Sequence, residues 1–157
     1  MKHDMLMEIT KRMPMKTILV NGQSYLERYF SSYTEDGGQW WYHRFLRSDS
    51  ERHLHSHPWE GRSMVLSGWY TEQSRGPHAD HNNNQNDHFR TYRVGQSNTI
   101  FENTLHRIVE IAPDTWTLIY VKSGRQTQWF FIDDEGDKKL MQSSPENWHL
   151  ECGVRGD

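Results

Sequence analysis

His53, His55 and His57 stand at every second position of the stretch HLHSHPWEGRSMVLSG, residues 53–68, just ahead of the apolar run Met64-Val65-Leu66. In an extended chain, residues two apart share a face, so these imidazoles point the same way. On a helix the same spacing scatters them, and only His53 and His57 would meet one turn apart. Two imidazoles on one strand face make half of a transition-metal site. The rest must come from elsewhere in the chain, and His106, at the start of a second β-rich run, is the candidate. Core packing alone has no use for alternating histidines.

The elements that would position these side chains are short strands separated by turn signals. Tyr25 to Phe30 is a helical turn or a strand, and Asp36-Gly37-Gly38 is a turn. Gln39 to Arg47 (QWWYHRFLR) reads as a strand with Trp41, His43 and Phe45 on one face and Trp40, Tyr42 and Arg44 on the other. Ser48 to Glu51 turns into the histidine strand, which Pro58 should bend or end. After a turn at Glu60-Gly61, Arg62 to Tyr70 is the next strand. Thr71 to Asp87 collapses into polar residues and reads as a loop, in which His78, His81 and His88 lack a rigid scaffold for tight metal binding. His88 to Val94, Leu105 to Ile111, Thr115 to Val121 and Gln128 to Ile132 complete the strands, with no long amphipathic helix and no internal repeat. This pattern predicts an all-β barrel or jelly roll. The expected organisation is an N-terminal extension over residues 1–20, the barrel over 21–135, and a tail over 136–157 anchored by Trp148 and Leu150.

A chain of 157 residues fits one domain with a real core. Its apolar fraction is only 34% and its mean hydropathy −0.98, but aromatic residues at 13% argue against disorder, since each supplies a large buried area. The net charge of −3 gives no electrostatic case for nucleic acid or an anionic membrane, although ten histidines make it sensitive to pH. The lone Cys152 excludes an internal disulfide framework and fits a reducing compartment. No apolar run reaches the ~20 residues needed to span a bilayer, and the N-terminus has no apolar signal segment, so the expected location is cytoplasmic. Strands exposed at sheet edges make a homodimer the expected assembly.

These residues resemble the cupins, double-stranded β-helix barrels. The first cupin motif runs Gly, five residues, His-x-His, three or four residues, Glu, six residues, Gly. His55-Ser56-His57 and Gly68 match it, while the Glu position holds Gly61 and the leading Gly position holds Asp49. The second motif runs Gly, five residues, Pro, x, Gly, two residues, His, three residues, Asn. Gly95 and His106 match it at the right spacing; Asn103 replaces the Gly, and Phe101 and Glu110 depart from it. The resemblance covers roughly Trp40 to Ile132, and Leu54 to Trp59 is also similar to a subgroup of small microbial and viral cupins. A competing register takes His53, His55 and Glu60 together with His106, which restores the Glu but places Gly68 one residue late.

The resemblance implies a facial set of His55, His57 and His106 holding one divalent transition metal per chain, with Fe(II) preferred and Zn, Ni or Mn as alternatives. Three protein ligands leave positions open for a small-molecule substrate, and the missing carboxylate favours an anionic or chelating one. Among cupins such a set resembles the non-haem dioxygenases. The alternatives are a ligand-binding or sensor cupin without catalysis, and a cupin isomerase, decarboxylase or lyase. The thiol-oxidising branch carries a Ser-x-His after its last ligand, whereas the corresponding strand here, Trp116 to Tyr120, has no His. Glu110, four residues after His106, is a candidate general base on the same strand face, with an exposed position at the barrel mouth as the alternative. Trp59 and Tyr120 are candidate substrate contacts, and Glu60 a candidate fourth ligand.

Overall fold

A computed structural model describes residues 1–48, 52–76, 85 and 87–156. Its first sheet grows from a hairpin. Strands β2 (Gln23–Tyr33) and β3 (Gln39–Phe45) pair antiparallel through a turn in which the Thr34 N–H bonds the Gly38 carbonyl and Gly37 takes a positive φ of 84°. Strand β1 (Met15–Val20) adds to the outer edge of β2. On the other side follow β9 (Trp116–Val121), β4 (Gly61–Ser67) and β7 (Ser97–Ile100), giving the order β1-β2-β3-β9-β4-β7.

The alternation expected in Gln39 to Arg47 is present. Trp41, His43 and Phe45 face inward, with Trp41 opposite Ile119 and His43 opposite Thr117 on β9. Trp41 is fully buried and meets Trp59 and Trp148 edge to face, with centroids 5.6 and 5.9 Å apart. A buried aromatic of this size contributes on the order of 4–6 kcal/mol in transfer terms, so a few such side chains offset a low apolar fraction.

The expected strand Arg62 to Tyr70 is two strands. Gly68 has a φ of +72°, and a Cβ there would lie 2.3 Å from Thr115 Oγ1, so only glycine serves. At this point the chain leaves the first sheet and enters the second as β5 (Trp69–Arg75). The expected loop Thr71 to Asp87 is therefore corrected: residues 71–75 are strand, with Glu72, Gln73 and Arg75 buried. Gln73 and Arg75 are held by the Asp87 carboxylate, at 2.6 Å from Gln73 Nε2 and 3.0 Å from an Arg75 Nη, so their polarity does not put them in solvent. His78 and His81 lie outside the described residues, and His88 opens strand β6 (His88–Arg93) on the surface.

The second sheet pairs β6, β5 and β8 (Leu105–Ile111), and a separate ladder pairs β10 (Gln128–Ile132) with β11 (Lys138–Gln142). The histidine stretch joins the two. It is not a regular strand; His55 makes single antiparallel bridges to His106 on β8 and to Phe131 on β10. The His55 and His106 backbones exchange hydrogen bonds of 3.1 and 2.9 Å, while the Ser56 N–H donates to the Phe130 carbonyl at 2.8 Å.

Residues 1–20, expected as an extension, carry β1 and an eight-residue helix α1 (His3–Thr10). Leu6 of α1 is fully buried with Tyr29, Leu66 and Trp116, covering the outer face of the first sheet. In residues 136–157, β11 pairs with β10 and Trp148 is buried, but Leu150, the other expected anchor, is 73% exposed.

Candidate metal centre

Backbone pairing brings the three motif histidines together. His55 sits directly opposite His106 in the bridge to β8, and His57 follows two residues later. One ligand-capable nitrogen from each of His55, His57 and His106 lies within 4.8 Å of the others. Nε2 of His57 and Nε2 of His106 are 2.5 Å apart. Two nitrogens at about 2.0–2.1 Å from one metal are separated by about 3 Å, so the rings would open by less than about 1 Å to take an ion between them.

Two of the remaining ring nitrogens have partners of the right kind. His106 Nδ1 lies 2.8 Å from Glu72 Oε2, and His55 Nδ1 lies 3.1 Å from the His53 carbonyl. Both partners accept, so Nδ1 is the donor in each ring and Nε2 is the nitrogen left for a metal. Burial holds His55 and His57 well below the usual histidine pKa, and crowding with other ionisable groups lowers them further, Arg52 and His106 beside His55 and His106 and His55 beside His57. Neutral imidazole is the form that ligates a metal. Donor type, tautomer and protonation state therefore fit a divalent transition metal.

Glu72 is the functional residue that the sequence did not reveal. Only 8% exposed, its carboxylate accepts from His106 and, at 2.9 Å, from Asn98 Nδ2. Asn98 is fixed in turn by the Tyr92 hydroxyl at 3.0 Å. The Tyr70 hydroxyl beside this group has its pKa pushed up by burial and by Glu72, which keeps it neutral. The histidines open onto a cavity of about 270 Å³ between the two sheets, and Trp59, Tyr70, Ile108, Ile119 and Trp129 form apolar parts of its wall.

The other candidates fall elsewhere. Trp59 is in the wall, its ring 4.4 Å from that of His57. Tyr120 is not, because β9 turns it to the outer face of the sheet, where it packs on Trp40 and bonds Asp36 at 3.2 Å. Glu110 is exposed and on the wrong face: a bulge at Val109 lets Thr71 pair with Glu110 while Glu72 pairs with Ile108, and this inverts the alternation after His106. The competing ligand set does not assemble. His53 stacks on Phe131 and bonds Asp134 at 3.1 Å, and Glu60 pairs with Lys122 at 3.6 Å. Gly61, at the motif's Glu position, would place a Cβ 2.3 Å from the Tyr120 carbonyl oxygen, so no carboxylate fits there.

No protein-family model matches the sequence, and no curated protein matches it. Solved structures do match by shape. Fe(II)-HppE with the alternative substrate (S)-1-HPP superposes with a TM-score of 0.54 at 14% identity, over 72% of this chain and 57% of that one. Streptomyces albus HEPD with 2-hydroxyethylphosphonate and Fe(II) bound gives 0.56 at 9% identity, over 71% of this chain and 24% of that one. A cupin 2 conserved barrel domain protein from Rhodopseudomonas palustris gives 0.55 at 11% identity, over 79% and 80% of the two chains. The chain thus spans little more than half the length of HppE and about a quarter of HEPD. At these identities the likeness is one of fold, and this chain folds as an all-β cupin barrel.

Proposed function

We propose that the protein is a metal-binding cupin in which His55, His57 and His106 hold one divalent transition metal, Fe(II) by preference, and that it acts as a non-haem oxygenase of the dioxygenase type on a small anionic or chelating organic molecule. One observation carries this reading: three imidazoles converge on a cavity, and two of them have Nδ1 anchored to an acceptor. Two of the matched structures, HppE and HEPD, hold Fe(II) with a small substrate, which supports the same use here. When bound, Fe(II) supplies open coordination positions and redox chemistry toward dioxygen. The chain's part is to hold the ligand ring of His106 through Glu72, to keep His55 and His57 neutral, and to exclude bulk water with Trp59, Trp129 and Ile108.

The wall also weighs against the isomerase, decarboxylase and lyase alternatives. Among the described residues lining the cavity the only carboxylate is Glu72, already engaged by His106 and Asn98, so no spare carboxylate faces a substrate. That same scarcity favours ligand binding without turnover as the second reading. We further propose a homodimer, because β6 and β11 are sheet edges carrying exposed Phe89, Leu140 and Met141. No described helix is long and apolar enough to cross a membrane, and a cytoplasmic location is part of the proposal.

Oxygen uptake by anaerobically Fe(II)-loaded protein, with a panel of small organic acids, tests the enzyme reading. Uptake above that of free Fe(II), abolished by His55→Ala, is expected. Protein that binds the metal and an acid but consumes no oxygen would establish the sensor reading instead.

A further inference from the structure

The cavity has a second charged feature, away from the histidines. Lys16 on β1, Arg28 on β2, His43 on β3 and Thr117 on β9 form one cross-strand row on the inner face of the first sheet. Lys16 directly opposes Arg28, a like-charge pairing that destabilises a sheet. Arg125 joins them from the loop after β9, its guanidinium 6.0 Å from the Trp41 ring, over which Arg28 also lies at 4.1 Å. Glu146 attracts Arg125 from a distance, but among the described residues no carboxylate forms a salt bridge or hydrogen bond with either arginine. The Arg28 guanidinium donates from Nε to His43 Nε2 at 3.1 Å. Nε and one Nη of Arg125 are buried with no hydrogen-bond partner at all. Lys16 donates to Ser144 Oγ at 2.7 Å, and Ser143 and Ser144 line the same cavity as Arg28 and Arg125.

Buried guanidinium donors left unmade are costly, and removing two charges from water without a directly paired counter-ion costs more. Arg28 is packed deep in the protein, and its pKa is pushed down to about 9 by burial and by Arg125. A sheet retains such a cluster at the expense of stability where an anion from outside completes it. We propose that Arg28 and Arg125, with Lys16 and Ser144 beside them, form an oxyanion subsite that takes the carboxylate or phosphoryl group of the organic ligand. This deepens the proposed function, on which it rests for the ligand's other end, and names the ligand class as an organic acid with one end held by the arginines and the other toward the histidines.

Thermal shift with inorganic phosphate or acetate at fixed ionic strength is the test, on metal-stripped and Fe(II)-loaded protein, with Arg28→Met and Arg125→Met beside the parent. A saturable rise in parent Tm is expected with at least one anion, and which anion responds distinguishes a phosphoryl from a carboxylate group. Both variants should need at least tenfold more anion for the same shift, and in anion-free buffer Arg125→Met should match or exceed the parent's Tm. A purely structural arginine would instead lower Tm in the variant. No saturable response of the parent to either anion, or an undiminished response in both variants, overturns the subsite. Elemental analysis of the same samples reports the histidine centre separately, so metal bound without an anion response sinks the subsite and spares the centre.

Discussion

The proton on His106 Nδ1 is held by Glu72, and that single contact decides which nitrogen faces the cavity. Partners of this kind typically contribute 10–100-fold to metal affinity by fixing ring orientation and raising ligand basicity. Glu72→Gln keeps a hydrogen-bonding group of the same shape but removes the charge, and its amide nitrogen can no longer accept. Its metal affinity should fall about 10–100-fold in a chelator competition, with all three histidines intact. An unchanged affinity would show that Glu72 only packs. Protonation gives a second handle at this scale. His43, His55 and His57 are each held well below the ordinary value of 6.5, above all by burial, with Arg28 adding to the effect on His43. The unfolded chain therefore binds these protons more readily than the folded one. Metal-stripped protein should be fully stable above about pH 6.5 and lose stability as pH falls below it, by up to about 1.4 kcal/mol per pH unit for each histidine. Urea denaturation between pH 7.5 and 5 measures this, and a flat profile would mean that these rings take up protons in the fold as readily as in the unfolded chain.

Close backbone approach explains why the motif's carboxylate ligand is missing. At Gly61 strand β4 opposes Val121 of β9, and the Tyr120 carbonyl occupies the space a side chain would need. Gly61→Glu should therefore not add a fourth ligand; it should cost at least about 2 kcal/mol in chemical denaturation and leave the metal stoichiometry as it was. Increased metal affinity in that variant would contradict this packing. Much of the site was legible in the sequence where side-chain period and backbone path agree. Trp41, His43 and Phe45 alternate because one face of β3 is the barrel interior, and His55, His57 and His106 follow motif spacing. Legibility failed where one residue changes the path. Gly68 splits an apolar run into strands of different sheets, and the bulge at Val109 turns Glu110 outward. Glu72 was hidden in the polar stretch Thr71 to Arg75 because its burial is made affordable by hydrogen bonds, and composition does not record partners. The cation row is equally silent in sequence, since Lys16 and Arg28 meet only through strand register.

Across the whole molecule the termini are structural. Helix α1 covers the outer face of the first sheet, and Arg155 ties the C-terminal segment to it, donating to the Tyr29 hydroxyl at 2.9 Å and the Met7 carbonyl at 2.6 Å. Met15 likewise receives support from the C-terminal segment, its N–H donating to the Gly153 carbonyl at 2.8 Å. Leu6→Ala should cost about 2–5 kcal/mol in chemical denaturation, whereas a dispensable extension would give almost nothing. The barrel that these termini brace encloses a cavity with histidines and arginines on its walls, and a bound metal is the claim on which its function turns. Elemental analysis of untagged protein beside His106→Ala tests that claim most directly. About one equivalent of Fe, Mn, Ni or Zn per parent chain, lost in the variant, is the expected result. Metal retained by His106→Ala, or no metal in the parent even after reconstitution, would contradict it.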